Sequence, residues 1–321
     1  MALDSVLAQT RHADEILVLD DGSTDETSSI LNSYRSRTIV ITQKNSGPAL
    51  ARTTLCRHAQ GDLVAFLDSD DLWHPEYLEN QTQLFDAHPQ TAAFFVGHTD
   101  LQGYGNVAWT PNPDPDARAE FISSLDFLVR YNARPGPFNM SYCCVPRTIL
   151  TRLGPDPFQV APANSKPWAE DCYFHNRLAL EGPIVHLPRC LVAYRMNPGS
   201  VSWDRLRWTA AQVNAIESLT NSDTISDGRY RDLFRTVLRS KRRVHAKCLL
   251  GAGRTSEARS ELRASLPRKL TDPASMAKST LLLLLTYLPP RIQPKWPPTY
   301  REYGQPRSTA GTTQTAAQDG K

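Results

Sequence analysis

The chain has 321 residues, enough for one sizeable core and a smaller appended module, because single cores stop growing near ~250 to 300 residues. Forty per cent hydrophobic and 21% charged residues describe an ordinary globular protein, and a net charge of +3 without a polybasic patch is too small to imply nucleic acid. The six cysteines (Cys56, Cys143, Cys144, Cys172, Cys190, Cys248) include no CxxC pair and no plausible disulfide framework, which points to a reducing, cytoplasmic compartment.

The opening MALDSVLAQTRHADE lacks the basic flank and apolar stretch of a signal peptide, so export by that route is not expected. From there to residue 67, short apolar runs alternate with helical patterns. Strands are expected at 16–19, 38–41 and 63–67, with helices at 25–34 and 48–59 between them. That alternation predicts βαβ units and an α/β fold with a mostly parallel, two-sided sheet. Asp20 and Asp68 directly follow strands, at the carboxyl edge where open α/β sheets bind ligands.

A helix with proline in its first turn is expected at 75–87 and a buried strand at 92–96. The Gly, Asn, Asp and Pro density of 103–115 predicts a long loop, 141–145 a strand, and 155–167 a second irregular loop. A helix then starts near Trp168 and stops at Gly182 and Pro183, with Glu170 and Asp171 in its first turn. After Trp203 the pattern is helical, at 205–219, 230–250, 256–266 and 275–288. The expected division is a domain over 1–202, a helical module over 203–290 and a disordered tail over 291–321. The apolar run 281–285 falls well short of the ~20 residues of a membrane span and reads first as a buried helix, second as an interfacial contact.

Four segments carry chemistry. LVLDDGSTDET ends a strand with Asp20 and Asp21, which can accept from a ribose or a base N–H or simply cap a helix. QKNSGPALAR supplies turn chemistry at Asn45 and Gly47 and then a helix with Arg52, which can pair with phosphate or with Asp20 and Asp21. FLDSDDLW packs Asp68, Asp70 and Asp71 onto one turn. Mutual repulsion there makes sense when Mg²⁺ or Mn²⁺ bridges the turn to a diphosphate; the alternative is a solvated acidic turn. In KPWAEDCYFHNRL, Glu170 and Asp171 can act as general base toward a hydroxyl, or only complement the helix dipole. Cys172 and the aromatic residues Trp73, Trp109 and Trp168 read as packing or loop anchors, and the eight histidines show no zinc spacing.

In this order and spacing, DDGSTD, NSGPALAR, LDSDD and WAEDCYFHNRL resemble the family 2 glycosyltransferases of GT-A, Rossmann-like fold, over roughly residues 3–202. The resemblance implies that Asp21 contacts the nucleotide base while Asp20, Arg52, Asn45, Gly47 and Asp68 line the nucleotide pocket. It implies a DXD motif in which Asp70, supported by Asp68, binds Mn²⁺ or Mg²⁺, and that Asp171 with Glu170 supplies the base of an inverting transfer. The implied donor is a nucleotide sugar, UDP-linked. The implied acceptor is a glycan or lipid-linked hydroxyl in polysaccharide biosynthesis, and the enzyme is cytoplasmic and peripheral to the inner face of the cell membrane.

The chain departs from the family pattern in three places. The first strand and its P-T-Y-N loop are absent, which removes a central strand, and a start upstream of Met1 is expected. Asn197 stands where relatives often carry histidine, and Thr53 where many carry asparagine. Two rivals stay open: a scaffold that keeps the fold but lost catalysis, and a phosphohydrolase using the DSD cluster.

Overall fold

A computed structural model of the chain describes residues 1–102, 117–133, 138–158, 169–196, 204–267, 272–288 and 294–295. The loop expected at 103–115, most of that at 155–167, Trp109, Trp168, Asn197 and all of the tail but residues 294–295 lie outside these residues.

Helix α1 (Ala2–Leu7) precedes the alternating half: β1 (Leu17–Asp20), α2 (Thr27–Asn32), β2 (Ile39–Thr42), α3 (Pro48–His58) and β3 (Leu63–Ala65). Each lies where the hydrophobic pattern places it. Gly47, at φ +86°, turns the chain into α3, and Pro48 opens that helix with no N–H to leave unsatisfied. Next come β4 (Leu72–Trp73), α4 (Tyr77–Ala87), β5 (Ala93–Gln102), β6 (Glu120–Ile122) and α5 (Ser124–Ala133). A 3₁₀ turn, Met140–Tyr142, leads into β7 (Cys143–Pro146), α6 (Arg147–Arg152), α7 (Glu170–Glu181) and β8 (Ile184–Met196). Four helices follow, α8 (Arg205–Thr220), α9 (Gly228–Gly251), α10 (Thr255–Ala264) and α11 (Pro273–Leu285).

The fold class is the expected α/β one, but strand directions are more mixed than a mostly parallel sheet. β1 and β2 pair in parallel as a separate ribbon, while the larger sheet runs β3-β7-β5-β8-β4 with β6 also on β8. Within it only β5 and β8 are parallel; the other pairs are antiparallel. The continuous apolar run of β5 reports burial on both faces, and burial carries no information on direction. Among the described residues β1 pairs only with β2, and β3 only with β7, so one edge of each carries no ladder.

The apolar pattern misses β4 and β6, which are two and three residues long, and β8, which Pro188, Arg189 and Cys190 interrupt. The interruption has a structural counterpart in β5. Register shifts flank Gly97, and a Cβ there would stand 2.9 Å from the Arg189 carbonyl oxygen.

The main core joins Phe94, Phe95, Phe127, Met140, Phe158 and Phe174 to Ile216 of α8 and Phe234 of α9. A second, smaller core holds Ala246, Leu249 and Leu250 of α9 with Ala258 and Leu262 of α10. Leu282 and Leu283 of α11 pack against that second core. The reading of 281–285 as a buried helix is therefore corrected: Leu281 is 58% and Leu284 61% exposed. Among the described residues only one side of α11 is covered, and the five consecutive leucines encircle the helix, leaving two of them outward. No helix among the described residues is long and apolar enough to cross a membrane.

Gly97→Ala should destabilise the fold by ~1–3 kcal/mol, because the atom it meets is backbone that cannot rotate away. Gly228→Ala, at the start of α9 with nothing within 4 Å, should be neutral or stabilising. Thermal melts of the two variants beside the wild type check both; equal melting points would refute the close approach.

Candidate active site

The site is assembled from the carboxyl ends of β1 and β3 and the amino end of α7. At β1, the buried Asp20 accepts from the backbone N–H of Ser23 at 2.9 Å and so closes the turn. Gly22 has φ +78°, and a Cβ on it would lie 2.8 Å from the Asn45 nitrogen; the DDG turn and the loop before α3 need that glycine to come together. Asp21 then clasps the same loop. Its Oδ1 accepts from Gln43 Nε2 at 2.7 Å and Ser46 N at 2.9 Å, and its Oδ2 from Gly47 N at 2.8 Å.

Arg52, in the second turn of α3, does not reach Asp20 or Asp21, one of the two pairings open to it, phosphate being the other. Nη2 donates to Asp68 Oδ1 at 2.6 Å and Nη1 to Glu170 Oε1. The carboxylates at β1 are already held by nearby backbone N–H groups, whereas Asp68 Oδ1 and Glu170 Oε1 each accept from the guanidinium. Burial opposes the guanidinium's charge, yet Asp68 and Glu170 more than offset this and raise its pKa further.

The β3 turn is held from two sides. Ser141 Oγ accepts from the Asp68 N–H at 3.0 Å, and the Ser141 carbonyl accepts from Trp73 Nε1 at 2.9 Å. Trp73 is buried and stacked on Tyr77, so it belongs to the core. On the other side Arg195 of β8 donates Nε to the Asp70 carbonyl at 2.8 Å and its backbone N–H to Asp71 Oδ1 at 2.9 Å. Asp71 is fully buried, its Oδ2 has no hydrogen-bond partner, and burial pushes its carboxyl up to about 7. Asp70 is also raised, first by burial and then by the charge of Asp68.

α7 opens on a strained residue. Ala169 sits at φ 72°, ψ 32°, a left-handed conformation that costs a non-glycine residue about 1–2 kcal/mol. The strain lies immediately before Glu170 and Asp171. Burial raises Asp171, while Arg52 pulls it down and Asp68 pushes it up, which places all three in one electrostatic neighbourhood. Asp171 Oδ1 accepts from Cys172 N at 2.6 Å. Cys172 is buried with its thiol pushed up to about 12, the behaviour of a packing residue.

The structure thus brings Arg52, Asp68, Glu170 and Asp171 together and ties Asp70 to the same turn, while Asp20, Asp21, Asn45 and Gly47 form a second, adjoining turn. Sequence reasoning passes over Ser141, Gln43 and Arg195. Arg195 had a signal, since it lies in the AYRMNPGSVS segment beside the divergent Asn197; the other two had none. Among the described residues no group of three or more His, Cys, Asp or Glu forms a metal cage.

Residues 1–149 match the sequence profile of Glycosyl transferase family 2. The chain carries a family 2 glycosyltransferase domain. An uncharacterized glycosyltransferase of Rickettsia conorii is 39% identical over 229 residues, covering 70% of this chain and 35% of that protein. Succinoglycan biosynthesis protein ExoW of Rhizobium meliloti is 46% identical over 113 residues, 32% of this chain and 35% of ExoW. An Escherichia coli UDP-Glc:alpha-D-GlcNAc-diphosphoundecaprenol beta-1,3-glucosyltransferase is 37% identical over 86 residues, 26% of this chain and 34% of that enzyme. The matched stretches span about a third of each of these relatives. Staphylococcus aureus TarS in complex with UDP-GlcNAc shares the fold at TM-score 0.55 and 18% identity, over 89% of this chain and 76% of that one.

Glu170 gives the glycosyltransferase domain a pH signature. Burial lifts its carboxyl from 4.5 to about 7 against the opposing pull of Arg52. A group that binds its proton more tightly when folded contributes stability that is full below about 4.5 and lost as pH rises through about 7. Melting temperature should therefore fall across that window in nucleotide-free protein, and Glu170→Gln should flatten the fall. Thermal melts at constant ionic strength check this, and a slope unchanged by the variant would count against it.

Proposed function

We propose that the protein transfers a glycosyl unit from a nucleotide diphosphate sugar, UDP-linked, to a hydroxyl of a glycan or lipid-linked acceptor, with inversion. The observation that carries this reading is the double ion pair of Arg52, which holds the DSD turn against the Glu170–Asp171 end of α7. Donor-side and acceptor-side carboxylates are thereby kept in one site. The UDP donor and the lipid-linked acceptor draw support from the UDP-Glc donor and diphosphoundecaprenol-linked acceptor of the E. coli relative, and a role in polysaccharide assembly from ExoW.

A divalent metal fits the donor set. Asp70 and Asp68 offer hard carboxylate oxygens on one turn, and Mg²⁺ or Mn²⁺ takes one or two carboxylates and completes its shell with substrate phosphates. That mode needs no cage of protein ligands. Bound there, the metal would neutralise charge developing on the leaving diphosphate.

The remaining steps fall to the chain's own residues. Asp20 and Asp21, with the loop at Asn45 and Gly47, receive the nucleoside beside the turn they close. Asp171 accepts the acceptor's proton as the acceptor oxygen bonds to the anomeric carbon and the bond from that carbon to the phosphate oxygen breaks, releasing UDP. Asp171 must be ionised to do so, and Arg52 supports that ionisation while burial opposes it. The domain boundaries at 202 and 290, a cytoplasmic location and attachment at the membrane's inner face belong to the same proposal.

One observation favours a second reading, donor binding without turnover: β1 shares no ladder with the larger sheet, so the nucleoside turn and the DSD turn are joined by loops and side chains. A single experiment separates the two. Purified protein with Mn²⁺ and a panel of UDP-sugars should release UDP in the presence of acceptor. Asp171→Asn should lower turnover by ~10²–10⁴-fold while leaving donor binding intact. The wild-type rate should rise with pH along a limb above the ordinary carboxylate range near ~3.9. Donor binding with no UDP release would favour the second reading; neither binding nor release would end both.

A further inference from the structure

The exposed side of α11 is a short apolar ridge. Leu281, Leu284 and Tyr287 follow one another at three-residue steps and are 58%, 61% and 56% exposed. Cations surround it. The Arg259 guanidinium lies 4.0 Å over the Tyr287 ring and donates Nη2 to the Thr286 carbonyl at 2.9 Å. Arg263 Nη2 donates to the Tyr287 hydroxyl at 3.1 Å, and the exposed Lys278 stands one turn before the leucines.

These cations belong to a wider division of charge. Residues 204–288 hold 16 Lys and Arg against 8 Asp and Glu, whereas residues 1–203 hold 15 against 23. The overall +3 conceals an acidic glycosyltransferase half and a basic helical half. In that basic half, Arg207, Arg229, Arg235, Arg239, Arg242 and Arg254 are paired with its carboxylates. Arg259 and Arg263, beside the ridge, bond to hydroxyl, carbonyl and aromatic groups instead.

We infer that the α11 ridge docks on the surface of an anionic lipid bilayer, with Leu281 and Leu284 entering the acyl boundary, Tyr287 at the headgroup level, and Lys278, Arg259 and Arg263 against headgroup phosphates. A bilayer surface offers an apolar layer beneath an anionic one, and the ridge with its rim of cations is complementary to both. A symmetric dimer through the same patch is disfavoured, since an isologous contact would set these cations against their own copies. The ridge is far from the length of a spanning segment, so the contact is lateral. The inference does not depend on the transfer reading, and its test reads no turnover.

The full chain should co-sediment with vesicles containing about a third phosphatidylglycerol and remain in the supernatant with phosphatidylcholine alone, with binding weakened by high salt. Leu281→Glu with Leu284→Glu should lower the partition coefficient by at least roughly tenfold, with an unchanged circular-dichroism melt because both side chains point outward. Lys278→Glu should weaken binding less and reduce its salt dependence. Should the double variant misfold, hydrogen exchange on the wild-type chain decides: peptides over 273–288 should gain protection with anionic vesicles only. A wild-type chain that ignores anionic vesicles, binds both lipids equally, or binds undiminished with both leucines charged would overturn the inference. Self-association that the double variant abolishes would overturn it too, in favour of a second copy.

Discussion

Arg52 is the residue on which the site depends. Its side chain is 16% exposed, and its guanidinium joins Asp68, 16 residues away, to Glu170, 118 residues away. A pair of this kind is costly to break, ~3–5 kcal/mol when one partner is removed, because the other charge is left without compensation. The pairing is also incomplete. One arginine stands among Asp68, Glu170 and Asp171, with Asp70 and Asp71 on the adjoining turn, so negative charge remains in a partly dry crevice. Burial is the first reason that Asp70, Asp71, Glu170 and Asp171 all shift upward, and the charge of the neighbouring carboxylates adds to it. A cation arriving with a diphosphate relieves it, and so does a proton arriving from a hydroxyl. The electrostatics of the crevice favour both events of the proposed reaction.

The two turns of the site are anchored differently. The DSD turn is bonded to β8 through Arg195 and to the segment before β7 through Ser141, so three elements of the larger sheet set its position. The β1 turn is self-contained: Asp20 closes it and Asp21 grips the loop that launches α3. α3 is the link between them, since the loop that begins it is held by Asp21 and the arginine in its second turn reaches Asp68. Gly22, Gly47 and Arg52 therefore act as one unit, in which a misplaced loop would displace the ion pairs as well.

Much of this was legible in the residues. The alternation through residue 67 placed β1, β2, β3, α2 and α3, because amphipathic period and turn chemistry are local properties. The four acidic or basic segments were recognisable because each combines a strand or helix end with a charged turn. What was not legible was long-range. Strand direction in the larger sheet leaves no mark on the hydrophobic pattern, and β8 was hidden by Pro188 and Arg189, whose interruption is matched by Gly97 on another strand. For Arg52 the residues left phosphate or Asp20 and Asp21 as partners and did not suggest Asp68 and Glu170, since choosing between Asp21 and Asp68 requires knowing which carboxylate backbone N–H groups have already taken. The leucines of α11 misled for a related reason, as an unbroken apolar run does not say how many neighbours the helix has.

α9 connects the two ends of the molecule. Its 24 residues, some ~36 Å of helix, carry Phe234 and Val237 in the main core and Ala246, Leu249 and Leu250 in the second. α8 packs on both α9 and α7, the helix whose first turn bears Glu170 and Asp171. A continuous stack of packed side chains therefore runs from the base of the proposed reaction to the helices beside the α11 ridge, and close-packed interiors transmit position with little give. A surface held by that ridge would stand at a height from the crevice set by the packing of α7, α8, α9, α10 and α11. For an acceptor whose hydroxyl is carried on a lipid, such a height would select how far above the bilayer the reacting sugar must lie, and under the proposed function the helical half would then act as a ruler for the acidic half.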